Sequence, residues 1–184
     1  MGTSDIKLLI VEDDPDLRSA LNEYISKMGV RVSTSGNAAD ALNLLQCENP
    51  PFDMILTDLK IPGGTGMDIL KAAHNRSLDA LVAIITGYAS METAIEAIRL
   101  GAYNYITKPF SLNEIGVHVR NMIDRISLSK ENARLSIRLQ ELYKQINQIQ
   151  TEKSDLARTN DDIRRQLQEN SRKLDLLISL CSKS

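Results

Sequence analysis

Beyond Gly116 the 184-residue chain contains neither glycine nor proline; all nine glycines and all five prolines lie at or before that position. Nothing in residues 117–184 therefore forces a helix to stop. There is no tryptophan, and the only cysteines, Cys47 and Cys181, are too few and too far apart for a disulfide framework or a zinc site. His74 and His118 stand alone and form no ligand pair, so neither the histidines nor the cysteines receive a catalytic role. No apolar run approaches the roughly 20 residues needed to cross a bilayer, and Met1-Gly2-Thr3-Ser4-Asp5 has no basic region ahead of an apolar core. These absences point to a cytoplasmic chain with no membrane partner. Single-sign charge is also scarce: the net charge is −2, with 10 Lys and Arg against 16 Asp and Glu in residues 1–124 and 12 against 8 in residues 125–184. The basic residues of the tail alternate with acids and accompany one aromatic, Tyr143, which describes a solvated helix surface better than a direct nucleic-acid contact.

What is present is an alternation. Lys7 to Val11, Val30 to Ser33, Met54 to Thr57, Leu81 to Ile85 and Tyr103 to Ile106 read as strands. Between them Pro15 to Lys27, Ala38 to Gln46, Met67 to Arg76 and Met91 to Leu100 carry helical spacing. Apolar strands joined by single helices predict an α/β fold: a five-stranded parallel sheet, doubly wound, covered on both faces and open to ligand at its carboxyl ends. Asp14-Pro15 offers a helix cap followed by proline at the first helical position, and Gly29 and Gly101 fall where a left-handed stop residue suits. Ser111 with Glu114 fits a capping box opening a fifth helix.

That helix has a register. Steps of seven from Leu128 give Leu135, Leu142, Ile149, Leu156, Ile163, Asn170 and Leu177. A companion seam three residues earlier reads Asn132, Leu139, Ile146, Lys153, Asn160, Leu167, Leu174 and Cys181. Eleven of these sixteen positions are Leu or Ile, which predicts a left-handed coiled coil, and the asparagines favour two strands in register. At ~1.5 Å per residue the rod from Leu128 to Leu177 spans roughly 75 Å, too long to fold back on a domain some 30 Å across. The expected division is a globular domain over residues 1–124 and a parallel homodimer through residues 125–184, with the Cys181 side chains facing each other.

Three strand ends carry the chemistry: Glu12-Asp13-Asp14 after the first, Asp58 after the third, and Lys108-Pro109 after the fifth. Clustered carboxylates repel one another unless a hard cation neutralises them, and Mg²⁺ prefers a few carboxylates, a backbone carbonyl and retained waters. Asp58 could then act as nucleophile on phosphorus, with Lys108 stabilising the equatorial oxygens and the Thr86 hydroxyl, beside Gly87, donating to the phosphoryl group. Singly, each residue has a bland reading as cap, turn or loop. Their joint order is the signal.

Over about residues 5–125 the sequence resembles the receiver domain of two-component response regulators, through Leu9-Ile10-Val11-Glu12-Asp13, Asp58 with Pro62 and Gly66, Thr86-Gly87, and Tyr105-Ile106-Thr107-Lys108-Pro109-Phe110. The stretch from Ala94 to Tyr105 looks most like receivers of the nitrogen-regulator type. The resemblance implies Asp58 as phosphoacceptor, Asp13 as direct magnesium ligand, Glu12 as its water-mediated neighbour and the Lys60 carbonyl as a further ligand. It also implies Lys108 on the phosphoryl group through a cis bond to Pro109, and Thr86 with Tyr105 as a switch pair. Asp14 is left as a helix cap. Lys60 and Tyr88, two residues after Asp58 and Thr86, border the path of hydrolytic water.

The implied function is a phosphorylation-dependent switch that accepts a phosphoryl group from a sensor histidine kinase and passes the change through a dimeric coil. It catalyses only its own phosphorylation and dephosphorylation and is otherwise no enzyme. No ATPase, helix-turn-helix, cyclase or kinase signature follows, so the output would be a downstream protein target or a missing effector domain. Two other readings compete. A haloacid-dehalogenase-like phosphatase would need a general acid two residues after its nucleophile, where Lys60 stands. A vestigial-receiver scaffold, binding only through its coil, would not need the complete set of Glu12, Asp13, Asp58, Thr86 and Lys108.

Overall fold

The computed structural model describes the backbone of residues 6–181 and the side chains of residues 6–173. Chain order gives β1 (Lys7–Val11), α1 (Pro15–Ser26), β2 (Arg31–Ser35), α2 (Ala38–Cys47) and β3 (Met54–Asp58). A two-residue hairpin, β4 (Lys60–Ile61) with β5 (Gly64–Thr65), precedes α3 (Gly66–Arg76). Then come β6 (Leu81–Thr86), α4 (Met91–Arg99), β7 (Asn104–Thr107) and α5 (Leu112–Cys181). The five long strands are parallel, as the alternation of strand and helix predicts, and they stand in the order β2-β1-β3-β6-β7. The hairpin has no counterpart in the sequence reading, because two residues are too few to show a period.

Alternate residues of each strand feed opposite faces of the sheet. Leu9, Ile55, Val82 and Ile84 pack with Ala41 and Leu45 of α2 and with Ile69 and Leu70 of α3. Leu8, Leu56, Ala83 and Ile85 pack on the other side with Leu21 and Ile25 of α1 and with Ile115, Val119 and Met122 of α5. Two apolar layers thus bury both faces, which explains why the strands read as near-continuous apolar runs and not as alternating ones.

The helix ends follow from local chemistry. Asp14 caps α1 by accepting from the backbone N–H groups of Asp16 (2.9 Å) and Leu17 (3.2 Å), with Pro15 first in the helix. Gly29 (φ 82°) and Gly101 (φ 89°) occupy the left-handed region, where a side chain would be strained. Ser111 accepts from the backbone N–H of Glu114 at 3.1 Å, the half of the expected capping box present among the described contacts. The Lys108-Pro109 bond is cis, as the resemblance implies, and so is Asn49-Pro50.

By its contacts the chain divides into two compact units, one through Lys130 and one from Glu131 onward. α5 contributes to both: Ile115, Val119, Met122, Ile123 and Ile126 are buried in the first, whereas the helix residues of the second are exposed as far as they are described. The described Leu and Ile of the seam are exposed on both sides of this boundary, from Leu128 in the first unit at 63% of its accessible area to Leu142 in the second at 39%. Leu174, Leu177 and Cys181, the last seam positions, lie outside the residues whose side chains are described. No helix among the described residues is long and apolar enough to cross a membrane.

Candidate functional site

The parallel order of the strands brings the ends of β1, β3, β6 and β7 to one edge, so residues far apart in sequence meet there. Asp58 closes β3 opposite Ile85, and Thr86 closes β6 opposite Thr107. Glu12 and Asp13 follow β1 directly. Glu12, Asp13 and Asp58 each present a carboxylate oxygen within 4.8 Å of the other two. Glu12 (2% exposed) and Asp58 (7%) are buried, while Asp13 is exposed and forms the solvent side of the cluster. Asp14 is not part of it; its carboxylate is spent on the α1 cap.

Lys108 supplies the balancing charge. Its ammonium donates to Asp58 Oδ2 at 2.6 Å and to both Glu12 oxygens at 2.7 and 3.0 Å. Burial raises the Glu12 pKa above the ordinary 4.5, with the Lys108 hydrogen bond pulling the other way. For Lys108 burial by itself lowers the pKa, but hydrogen bonds to Asp58 and Glu12 prevail and hold it above the ordinary 10.5. The ammonium therefore stays charged, and it compensates two carboxylates that would be costly to bury alone.

Local folding holds these groups in place. Lys60 donates its backbone N–H to Asp58 Oδ1 at 3.1 Å, and Gly66 N–H reaches the Leu59 carbonyl at 2.9 Å. A Cβ built on Gly66 would lie 2.5 Å from the Asp58 carbonyl oxygen, so only glycine lets α3 begin that close to the end of β3. Thr86 is fully buried, and its hydroxyl accepts from the Tyr88 backbone N–H at 3.0 Å. The Lys60 ammonium lies 3.6 Å from the centroid of the Tyr88 ring, a cation–π contact that joins the two positions flanking Asp58 and Thr86. Tyr105 is half-buried, and its hydroxyl shares a 2.8 Å hydrogen bond with Thr93 Oγ1 on α4.

Every site residue named from sequence is thus at this edge or one element from it. Two contributors were missed. The Arg18 guanidinium donates to the carbonyls of Glu12 (2.5 Å) and Asp13 (3.2 Å), tying the acidic loop to α1. Thr93 holds Tyr105 and also belongs to the capping box of α4 with Ser90. An arginine one turn into a helix and a threonine in a first turn carry no periodic or motif signal, so only proximity exposes them.

Residues 8–120 match the response regulator receiver domain family. The chain belongs to this family. Over 109 residues it is 38% identical to the response regulator protein PilR of Pseudomonas aeruginosa, covering 59% of this chain and 24% of that protein. It is 33% identical over 125 residues to the regulatory protein AtoC of Escherichia coli, covering 68% and 27%. These relatives are of the nitrogen-regulator type that the Ala94 to Tyr105 stretch resembles, and the chain spans about a quarter of their length. Among solved structures, a CheY-like receiver domain protein from Methanospirillum hungatei is similar at TM-score 0.63 and 27% identity, covering 67% of this chain and 98% of that one. The non-phosphorylated HemR receiver domain from Leptospira biflexa is similar at TM-score 0.60 and 29% identity, covering 64% and 94%.

Proposed function

We propose that the chain is a phosphorylation-dependent switch of a two-component system, charged on Asp58 by a sensor histidine kinase and read out through a dimeric α5. The observation that carries the first half is the Lys108 ammonium set 2.6 Å from Asp58 and 2.7 Å from Glu12, beside the exposed carboxylate of Asp13.

The chemistry is a transfer between two acceptors. A carboxylate oxygen of Asp58 attacks phosphorus, the new O–P bond replaces the N–P bond of a phosphohistidine, and the departing imidazole takes up a proton. Lys108 leaves Glu12 for an equatorial phosphoryl oxygen while keeping Asp58 in place. The donor set fits a hard divalent cation: three carboxylates converge, two of them buried, and the Lys60 backbone meets Asp58 through its N–H. Asp13, Asp58 and the Lys60 carbonyl would hold Mg²⁺, with Glu12 through a water. When bound, the ion supplies positive charge against the incoming phosphoryl oxygens. Arg18 keeps the Glu12–Asp13 loop in position meanwhile, and Lys60 with Tyr88 restricts the approach of water.

The switch follows from the acceptor oxygens that the phosphoryl group adds. Thr86 would give up the Tyr88 N–H and donate to phosphoryl, and Tyr105 would leave Thr93 and turn inward. α5 supplies residues to both units of the chain, so the change can bear on the helix that carries the seam. The seam itself supports pairing, because Leu and Ile exposed at heptad spacing each contribute up to ~1.5–3 kcal/mol when covered. The downstream target is a protein surface or an effector domain that this stretch of sequence does not contain.

Incubation with acetyl phosphate and Mg²⁺ should add one acid-stable, base-labile phosphoryl mass to the protein and none to Asp58→Asn. Equal labelling of both would remove Asp58 from the role.

A further inference from the structure

The exposed seam of α5 is interrupted by polar residues, and their placement carries more information than the leucines. Asn132, Lys153 and Asn160 fall on one seam position and Asn170 on the other; all four are exposed. In a parallel pair in register each seam residue faces its own copy. Asparagine then meets asparagine at three layers, and each amide offers the donor and the acceptor its twin requires. In an antiparallel pair the alternating three- and four-residue spacing matches only when one seam meets the other. Lys153 would then face the Leu128 series, in which every described member except Asn170 is Leu or Ile. An ammonium would be desolvated against an aliphatic side chain.

Parallel pairing leaves two Lys153 ammoniums in one layer, and the sequence supplies their counter-charge. Glu152 precedes Lys153 on the flank of the seam that leans toward the facing helix. One of its oxygens already accepts from Gln148 Nε2 at 3.0 Å, which orients the carboxylate along that flank and leaves the other oxygen open. The lysine stem is long enough to pack across the seam with its head turned outward.

We infer that these polar layers select the partner: α5 pairs with a second copy of this chain, parallel and in register, with Lys153 of each chain on the partner's Glu152. This rests on the parallel coiled-coil reading above and adds to it the matched polar layers and an ion pair. A different coil would leave the asparagines facing apolar groups, so self-pairing is favoured over mixed pairing.

The test is sedimentation equilibrium of the full chain at low salt, with the receiver's fold checked by circular dichroism. Lys153→Glu places four carboxylates in one layer and should weaken the dimer by about tenfold or more. Glu152→Lys should do the same. The double variant Glu152→Lys/Lys153→Glu should return to within about threefold of the wild type, because the pair is exchanged and not lost. In a Cys47→Ser/Cys181→Ser background, Leu142→Cys should cross-link the two chains on mild oxidation, since a parallel pair sets position 142 opposite itself. A dimer whose charge swap brings no recovery overturns the ion pair, and a dimer that does not cross-link overturns the orientation. A wild-type monomer at about 10 μM would overturn the dimer itself along with this inference.

Discussion

At the scale of single residues the site is governed by one cation shared between two buried acids. Because the folded pKa of Glu12 lies above the ordinary 4.5, the folded chain holds that proton more readily than the unfolded chain. The stability linked to Glu12 is then fully present below 4.5 and is lost as pH rises through the folded value. Urea denaturation between mildly acidic and neutral pH should show this decline in the wild type and not in Glu12→Gln, which has no such proton to lose. Lys60 and Tyr88 act as one unit, since the ammonium sits on the ring face. Tyr88→Ala should therefore shorten the phosphoryl lifetime of Asp58 by about three- to tenfold by opening the approach of water. Lys60→Ala should do likewise, and the double variant should add little to either, as contacting residues do. Decay of the phosphorylated mass over time is the measurement.

Elements carry the coupling between site and surface. The first turn of α4 holds Tyr105 through Thr93, whose hydroxyl also closes the α4 cap with Ser90. Thr93→Val keeps the shape and removes that hydrogen bond, worth about 1 kcal/mol, so the inward rotamer of Tyr105 should gain about fivefold in population. Ring-resonance shifts of Tyr105 in the unphosphorylated protein would report it, and unchanged shifts would mean that Thr93 holds nothing back. The junction of β3 and α3 is less forgiving. Gly66→Ala forces a methyl group against the Asp58 carbonyl and should cost about 1–3 kcal/mol, with slower labelling at Asp58, because the strand end carrying the nucleophile has to move.

For the whole molecule the two units have different reasons to be stable. The receiver buries both faces of its sheet with residues no later than Ile126, while the described side chains of the second unit have nothing to cover them within one chain. A chain ending at Lys130 should therefore remain folded and accept a phosphoryl group at Asp58. It should no longer self-associate at concentrations where the full chain does. Light scattering together with intact mass separates the two properties, and an unfolded truncation would show that the receiver depends on its coil.

The elements of this protein are written in short-range periods. Strand residues that are apolar for several positions, helices capped by Asp14 and Ser111, and a seam repeating from Leu128 all depend on neighbours within a turn or two, so their order can be read directly. Even the acids at the strand ends follow, since a parallel sheet brings successive carboxyl ends to one edge. Contacts across the crossovers have no such period. Lys108 meets Glu12 across 96 positions and Asp58 across 50. Thr93 on Tyr105 and Lys60 on Tyr88 likewise depend on where each helix lies on the sheet and which way each side chain leaves it. Sequence order names the groups that share an edge; packing decides which of them touch, because a hydrogen bond or a charge contact is made or lost within an ångström that no spacing along the chain specifies.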